Sequence, residues 1–213
     1  MRPDTVMLYF APLRTAREKF CESLSAFVSK ERRVAPLKEE AHKLSVYSEV
    51  LLREAVCSEL GISNRGLKFQ RTQFGKSYLD CPLKFSLSHT QTAVIVALSF
   101  EEVGADIEKL RPARLKVAQR FFSEDEKEFL ACSENRDRDF FELWTKKEAY
   151  LKQIGRGLTI PLSSFSVLKE RERFRTYVRD GYVISLCCKK EDRVYFIEVD
   201  ENDLEHPHLV PVE

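Results

Sequence analysis

Apolar positions along this chain recur in two periods that alternate. Val6 to Phe10 reads as a first strand. Leu13 to Lys30 reads as a helix, because Ala16, Phe20, Leu24 and Phe27 line one helical face. After Pro36 a stronger helix is expected from Leu37 to Leu60, with Leu37, Ala41, Leu44, Tyr47, Leu51 and Ala55 as its apolar set and Gly61 as its stop. From Gly66 to Ser99 the pattern turns short and β-like. Leu83, Phe85 and Leu87 alternate with polar partners, and the run Thr92–Leu98 is apolar enough for a central strand.

The second half repeats this order. A brief strand, Val103 to Glu108, precedes a helix from Ala113 to Phe122. Ser123–Glu126 has the form of a capping box and opens another helix to about Ser133. The polar stretch Glu134–Asp139 is expected to separate it from a longer helix, Phe140 to Ile154, closed by Gly155. Three β-prone runs follow, Phe165–Leu168, Tyr182–Cys188 and Val194–Val199, and Glu205–Glu213 is expected to be a loose tail. Helices then strands, twice over, predict an α+β protein of two halves, 1–101 and 102–213.

Composition narrows the partners. The 213 residues carry 35 Lys+Arg against 34 Asp+Glu, a net charge of +1 that argues against a diffuse nucleic-acid surface. At 43% hydrophobic residues the chain has the material for a sizeable core. Its six cysteines are scattered with no C-x-x-C pair, which points away from a zinc or redox motif and toward free thiols in a cytoplasmic protein. The apolar N-terminal stretch is interrupted by Pro12 and is too short for a signal segment, and no run is long enough to span a bilayer, so no membrane partner is expected.

Candidate chemistry gathers in three places. Asp106 and Glu108 stand two apart in a strand-like segment, which places both carboxylates on one strand face. Alone, such a pair is most simply a solvated strand edge. Glu148 follows Phe141 and Trp144 on the apolar stripe of the last long helix, where a carboxylate is protonated, paired or metal-bound. An intrahelical pair with Lys152 accounts for it equally well. Three acids without Cys or His partners suit a hard cation such as Mg²⁺. Lys147 and Lys152 beside them suggest a polyanionic ligand, although each lysine taken singly reads as a solvated side chain. Ser86–Leu87–Ser88–His89–Thr90 is either a donor set for phosphate or a hydrogen-bonded turn. No P-loop, G-x-G-x-x-G or Ser-His-Asp pattern is present.

Taken in order, Gly75–Lys76, Phe85–His89, Val103–Glu108, Arg120–Glu126 and Leu143–Ala149 with Lys152, Gly155, Gly157 and Leu158 resemble the 4′-phosphopantetheinyl transferases of the Sfp type. The resemblance is carried by G-x-D-x-E, F-F-S-x-x-E and W-x-x-K-E-A-x-x-K. It runs from about residue 40 to 168 and implies the pseudo-dimeric branch: two similar α+β halves in one pseudo-twofold monomer. It implies transfer of 4′-phosphopantetheine from coenzyme A to a serine of an apo acyl or peptidyl carrier protein, with release of 3′,5′-ADP. It further implies Mg²⁺, with Mn²⁺ as a substitute, held by Asp106, Glu108 and Glu148. Glu148 and Lys152 become the catalytic pair, with Glu148 or a water as base. Lys76, Ser88, His89, Lys147 and Lys152 become coenzyme A contacts. Arg32, Arg33 and Lys43 become candidates for its 3′-phosphate, in a segment about one residue out of the family's register. Ala105 stands where a larger aliphatic is usual, and Thr90–Gln91 replaces a small turn containing glycine. The competing reading is a Mg²⁺-dependent phosphohydrolase acting on a nucleotide or coenzyme A.

Overall fold

The computed structural model describes residues 1–13, 22–35 and 38–212. The expected helix from Leu13 to Lys30 therefore lies largely outside the described residues; what is described of it is helical at 22–24, with a 3-10 turn at Ser25–Phe27.

In chain order the elements are β1 (Thr5–Pro12), α1 (Lys30–Arg33), α2 (Glu39–Leu60), β2 (Phe69–Arg71), β3 (Ser77–Leu79), β4 (Lys84–Thr90) and β5 (Ala93–Ser99). They continue with β6 (Gly104–Lys109), α3 (Leu115–Phe121), α4 (Glu124–Ala131), α5 (Arg136–Ile154), β7 (Phe174–Arg179), β8 (Tyr182–Cys187), β9 (Arg193–Glu198) and α6 (Glu201–Glu205). Helix α2 stops where expected, with Gly61 in the left-handed conformation at φ +66°. The capping box of Ser123 and Glu126 forms at the start of α4.

Two sheets stack between two long helices. The first has strand order β4-β5-β1-β9 and the second β6-β8-β7, with β2 and β3 forming a separate hairpin. One face of the first sheet packs on α2, through Tyr9, Val94, Val96 and Leu98 against Val46, Val50 and Val56. Its other face meets the second sheet, through Val6, Leu8, Phe10, Ile95 and Ala97 against Ala105, Ile107, Ile184 and Leu186. This double burial is why Ala93–Leu98 is apolar at every position: both sides of β5 are core. The second sheet and α5 enclose a third cluster that includes Phe141, Leu143, Ala149 and Val183. The fold is α+β, each unit a sheet with one long helix on its outer face.

Three expectations need correction. Helix α5 starts at Arg136 and not at Phe140: the Asn135 side chain accepts a bond from the Arg138 N–H, and Asp137 and Asp139 sit favourably in the first turn. Phe165–Leu168 forms no strand, because the Val167 N–H is taken by the Glu126 carboxylate at 2.8 Å. The strand lies further on, at Phe174–Arg179, and pairs antiparallel with β8. The tail is tied down: Leu209 is buried, the Val210 N–H and carbonyl both bond the Asn64 side chain, and the Val212 N–H donates to Ala26 O at 2.7 Å.

The expected boundary near residue 101 falls in the loop between β5 and β6. The chain nevertheless crosses back, since β9 pairs parallel with β1 and completes the first sheet. Among the described residues no helix is long and apolar enough to cross a membrane, and the five cysteines described are free; Cys21 lies outside them.

Candidate active site

Strand β6 and helix α5 approach unusually closely. A Cβ added at Gly104 would lie 1.9 Å from Ala149 O and 2.5 Å from Gln153 N, so only glycine permits this contact. The approach has a consequence in each direction along the strand. Ala105 and Ile107 enter the inter-sheet core, while Asp106 and Glu108, on the alternate positions, come under the electrostatic influence of Glu148 on α5.

Asp106 is buried, and its Oδ1 accepts from Ser88 Oγ and from Lys152 Nζ, each at 2.7 Å. Glu108 is paired with Arg111 at 2.9 Å. Glu148 differs from both. It is half-buried, and among the described residues no hydrogen bond or ion pair reaches its carboxylate. The intrahelical Glu148–Lys152 pair is not formed, because Lys152 is drawn to Asp106 across the cleft. Burial pushes the Glu148 carboxyl above its ordinary range, and the charge of Asp106 pushes it further; Lys152 opposes the shift.

Beside this cluster opens a cavity of about 380 Å³ between the two units. Leu52 and Glu49 of α2 form one wall, Leu151 and Lys152 of α5 another, and Phe85–Leu87 of β4 the floor. The β2–β3 hairpin forms the roof. Its Lys76 donates to Gln153 O at 3.0 Å and pairs with Glu102, while Gly155 gives it room: a Cβ there would stand 2.8 Å from Lys76 Cδ. A second cavity, about 360 Å³, adjoins the first and shares Arg32, Glu49, Phe69 and Ser77 with it; Arg71 lines it too.

The predicted residues thus divide. Lys76, Glu148, Lys152 and Arg32 line the main cavity. Ser88 stands behind Asp106 and orients it. His89 is exposed at the surface, and partial desolvation together with the nearby Lys152 and Arg32 charges lowers its pKa.

Lys147 lines neither cavity. Its ammonium is fully buried on another face of α5, where it pairs with Glu126 at 2.8 Å and donates to Leu162 O and Phe165 O at 2.7 and 2.6 Å. Lys43 lies off the cavity, paired with Glu39 at 2.8 Å. Arg33 turns to the backbone carbonyls of Val28 and Val212. Trp144 stacks on Phe140 and does not reach the cavity.

Sequence reasoning missed Arg71, Phe69 and Phe74. The only local signal was an aromatic residue and a cation in a short β-like stretch, and Phe74 is 48% exposed at the cavity rim.

A model of the 4′-phosphopantetheinyl transferase superfamily matches residues 102–204. The 4′-phosphopantetheinyl transferase gsp of Aneurinibacillus migulanus is 35% identical over 72% of this chain and 67% of its own length. The 4′-phosphopantetheinyl transferase ffp of Bacillus subtilis is 33% identical over 84% of this chain and 90% of its own. For the 4′-phosphopantetheinyl transferase Sfp of Bacillus subtilis (strain 168) the figures are 32%, 80% and 86%. Identities of 32–35% run along 67–90% of the length of these enzymes. The chain belongs to the 4′-phosphopantetheinyl transferase superfamily.

Proposed function

We infer that the protein transfers the 4′-phosphopantetheine group of coenzyme A to a serine of an apo acyl or peptidyl carrier protein, releasing 3′,5′-ADP. The observation that carries this is the unbonded, half-buried carboxylate of Glu148, set against Asp106 and Lys152 at the edge of a cavity between the units.

The acids fit a divalent cation. Asp106, Glu108 and Glu148 are oxygen donors, and the Glu148 carboxyl is raised first by burial and then by the neighbouring Asp106 and Glu108 charges. Among the described residues no three such groups are drawn together into a finished cage. Lys152 and Arg111 neutralise Asp106 and Glu108 instead. Those three acids would hold Mg²⁺, or Mn²⁺ in its place, which when bound neutralises charge on the coenzyme diphosphate.

The chain's own residues do the remainder. Lys152 and His89 face the diphosphate oxygens, and Lys76 holds the hairpin over the nucleotide. Phe69 and Phe74 offer flat apolar surface to adenine. Arg32 and Arg71 meet the 3′-phosphate in the second cavity. The carrier serine oxygen attacks the pantetheine-side phosphorus as its proton passes to Glu148, the phosphorus–oxygen bond to the leaving phosphate breaks, and 3′,5′-ADP departs. Positioning and charge neutralisation supply most of the acceleration in such a displacement.

The carrier's place is suggested by the chain after β6. From Lys109 to Arg120 stand five cations, Lys109, Arg111, Arg114, Lys116 and Arg120, and no acid, with Leu115 49% exposed among them. A cationic and apolar strip next to Asp106 suits an acidic carrier surface. We read the enzyme as cytoplasmic and monomeric, with units divided near residue 101.

The test is mass spectrometry of a panel of apo carriers incubated with coenzyme A and Mg²⁺. A gain of one phosphopantetheine mass on a carrier is expected, and chelation with EDTA removes it. Release of 3′,5′-ADP without any carrier marks a phosphohydrolase and overturns the reading, as does failure to modify every carrier.

A further inference from the structure

Arg32 is held in an uncommon way. Its Nε donates to Glu49 Oε2 at 3.2 Å, and among the described residues its two terminal nitrogens take no partner. The guanidinium is gripped at its root and offered at its tip, to the wall shared by both cavities.

Behind it runs a buried chain of polar contacts. The Glu49 carboxylate, 3% exposed, also accepts from the Ser29 N–H and hydroxyl and from Arg53 Nε and Nη2. Ser29 immediately precedes α1, so Glu49 fixes both the start of that short helix and the arginine it carries. Arg53, 1% exposed, spends its remaining nitrogen on Asn64 O at 3.0 Å. The Asn64 side chain, also buried, then closes a two-way clasp on the backbone of Val210, at 2.8 and 3.0 Å. The same C-terminal strap reaches α1 a second time: Val212 O accepts from Arg33, and its N–H donates to Ala26 O. His42 Nε2 lies 3.2 Å from the carbonyls of Arg32 and Arg33 and ties α1 to α2.

We propose that the strap Leu209–Val212 and the relay Asn64–Arg53–Glu49 are positioning residues for substrate selection: they aim the Arg32 guanidinium at the 3′-phosphate of coenzyme A. A four-residue helix has too little intrinsic stability to hold a catalytic-distance cation by itself. Here it is clamped from two sides, by a saturated carboxylate in front and by the strap behind. This rests on the reading of the cavities as the coenzyme A site.

Adenosine 3′,5′-bisphosphate and AMP differ only in the 3′-phosphate, so the ratio of their affinities isolates the group that Arg32 reads. Calorimetry on the full chain should give tighter binding of the bisphosphate, and Arg32→Gln should reduce that preference by about tenfold, the scale of one charge-assisted bond. Asn64→Ala, which releases the clasp but keeps the carbonyl that Arg53 uses, and Val212→Pro, which deletes one strap N–H, should each reduce the preference by roughly three- to tenfold. AMP binding should stay within about twofold in all three. In carrier loading the two strap variants should raise KM for coenzyme A with kcat unchanged.

Val212 is only partly buried, so its variant serves where Asn64→Ala folds poorly. Equal weakening of both nucleotides means a merely structural role and overturns the proposal, and so does an unchanged preference in either strap variant. A preference untouched by Arg32→Gln overturns it at the arginine. If the nucleotides behave as expected but no carrier is loaded, the transfer reading fails and the positioning result stands.

Discussion

Two lysine–carboxylate pairs on α5 make opposite use of the same chemistry. Lys147 and Glu126 are both wholly buried and fully bonded: Glu126 also accepts from the Ser123 and Val167 N–H groups, and Lys147 also donates to two carbonyls. Lys152 and Asp106 meet at the same kind of distance, 2.7 Å, but the lysine is 30% exposed and lines a cavity. The first pair pins α4, α5 and the segment after Gly155 into one block. The second is an exchangeable contact, with an unbonded carboxylate beside it waiting for a counter-charge. Neighbouring positions of one motif, Lys147 and Glu148, therefore serve architecture and chemistry separately.

The contrast is broken most severely at Glu148. Glu148→Gln should lower carrier loading by about 10²–10⁴, the loss expected of a catalytic acid–base group. It should leave the protein folded and, at neutral pH, more stable. The carboxyl's folded pKa lies above its unfolded one, so stability falls as pH rises from the unfolded to the folded value. Glutamine abolishes that fall, and thermal melts from pH 4 to 8 will show it. A variant that is destabilised and still active would put Glu148 on the architectural side.

Next in size is Lys147→Met. It strands the Glu126 charge and should cost about 3–5 kcal/mol in urea unfolding. Lys147→Met combined with Glu126→Gln should recover a large part, because the orphaned charge is gone. Surviving double-variant protein should keep its KM for coenzyme A. A selective rise in KM would return Lys147 to the binding site.

The sequence displayed much of this division without resolving it. Lys147 sits on the same helical stripe as Phe140, Leu143 and Leu151, all buried, so its inward direction was legible from spacing alone. A charged residue on an apolar stripe was visible; its partner Glu126, in another helix, was not. The long helices and their glycine stops were equally legible, because periodicity and caps are local. Strand β7 was hidden by alternating arginines, Phe174-Arg-Thr-Tyr-Val-Arg179, on a sheet edge. The route from Val210 through Asn64, Arg53 and Glu49 to Arg32 was hidden for another reason. It joins residues far apart in sequence whose types, taken singly, look like ordinary surface polars.

Smaller effects sharpen the comparison. Lys152→Met should raise KM for coenzyme A about tenfold, as expected for loss of a charge-assisted contact. Its effect on unfolding should be far below that of Lys147→Met. Smallest is the pH response of His89. Its lowered pKa leaves it neutral near pH 7, and a bound phosphate favours the charged ring, so coenzyme A binding should take up a proton. KM for coenzyme A should fall by about two- to threefold between pH 8 and 6, and His89→Gln should flatten the slope. An unchanged slope in that variant would assign the proton elsewhere.

The parallel pairing of β9 with β1 has a consequence for how the protein is made. Strand β1 is synthesised before its β9 neighbour, with residues 13–192 between them. At ordinary synthesis rates roughly ten to forty seconds separate them. During that interval the backbone edge of β1 that β9 later pairs with has no strand partner. Translation stalled before Arg193 would leave a chain that keeps Asp106, Glu148 and Lys152 and yet presents a sticky strand to its neighbours. For this protein, the hazard of incomplete synthesis is aggregation before loss of its chemical groups.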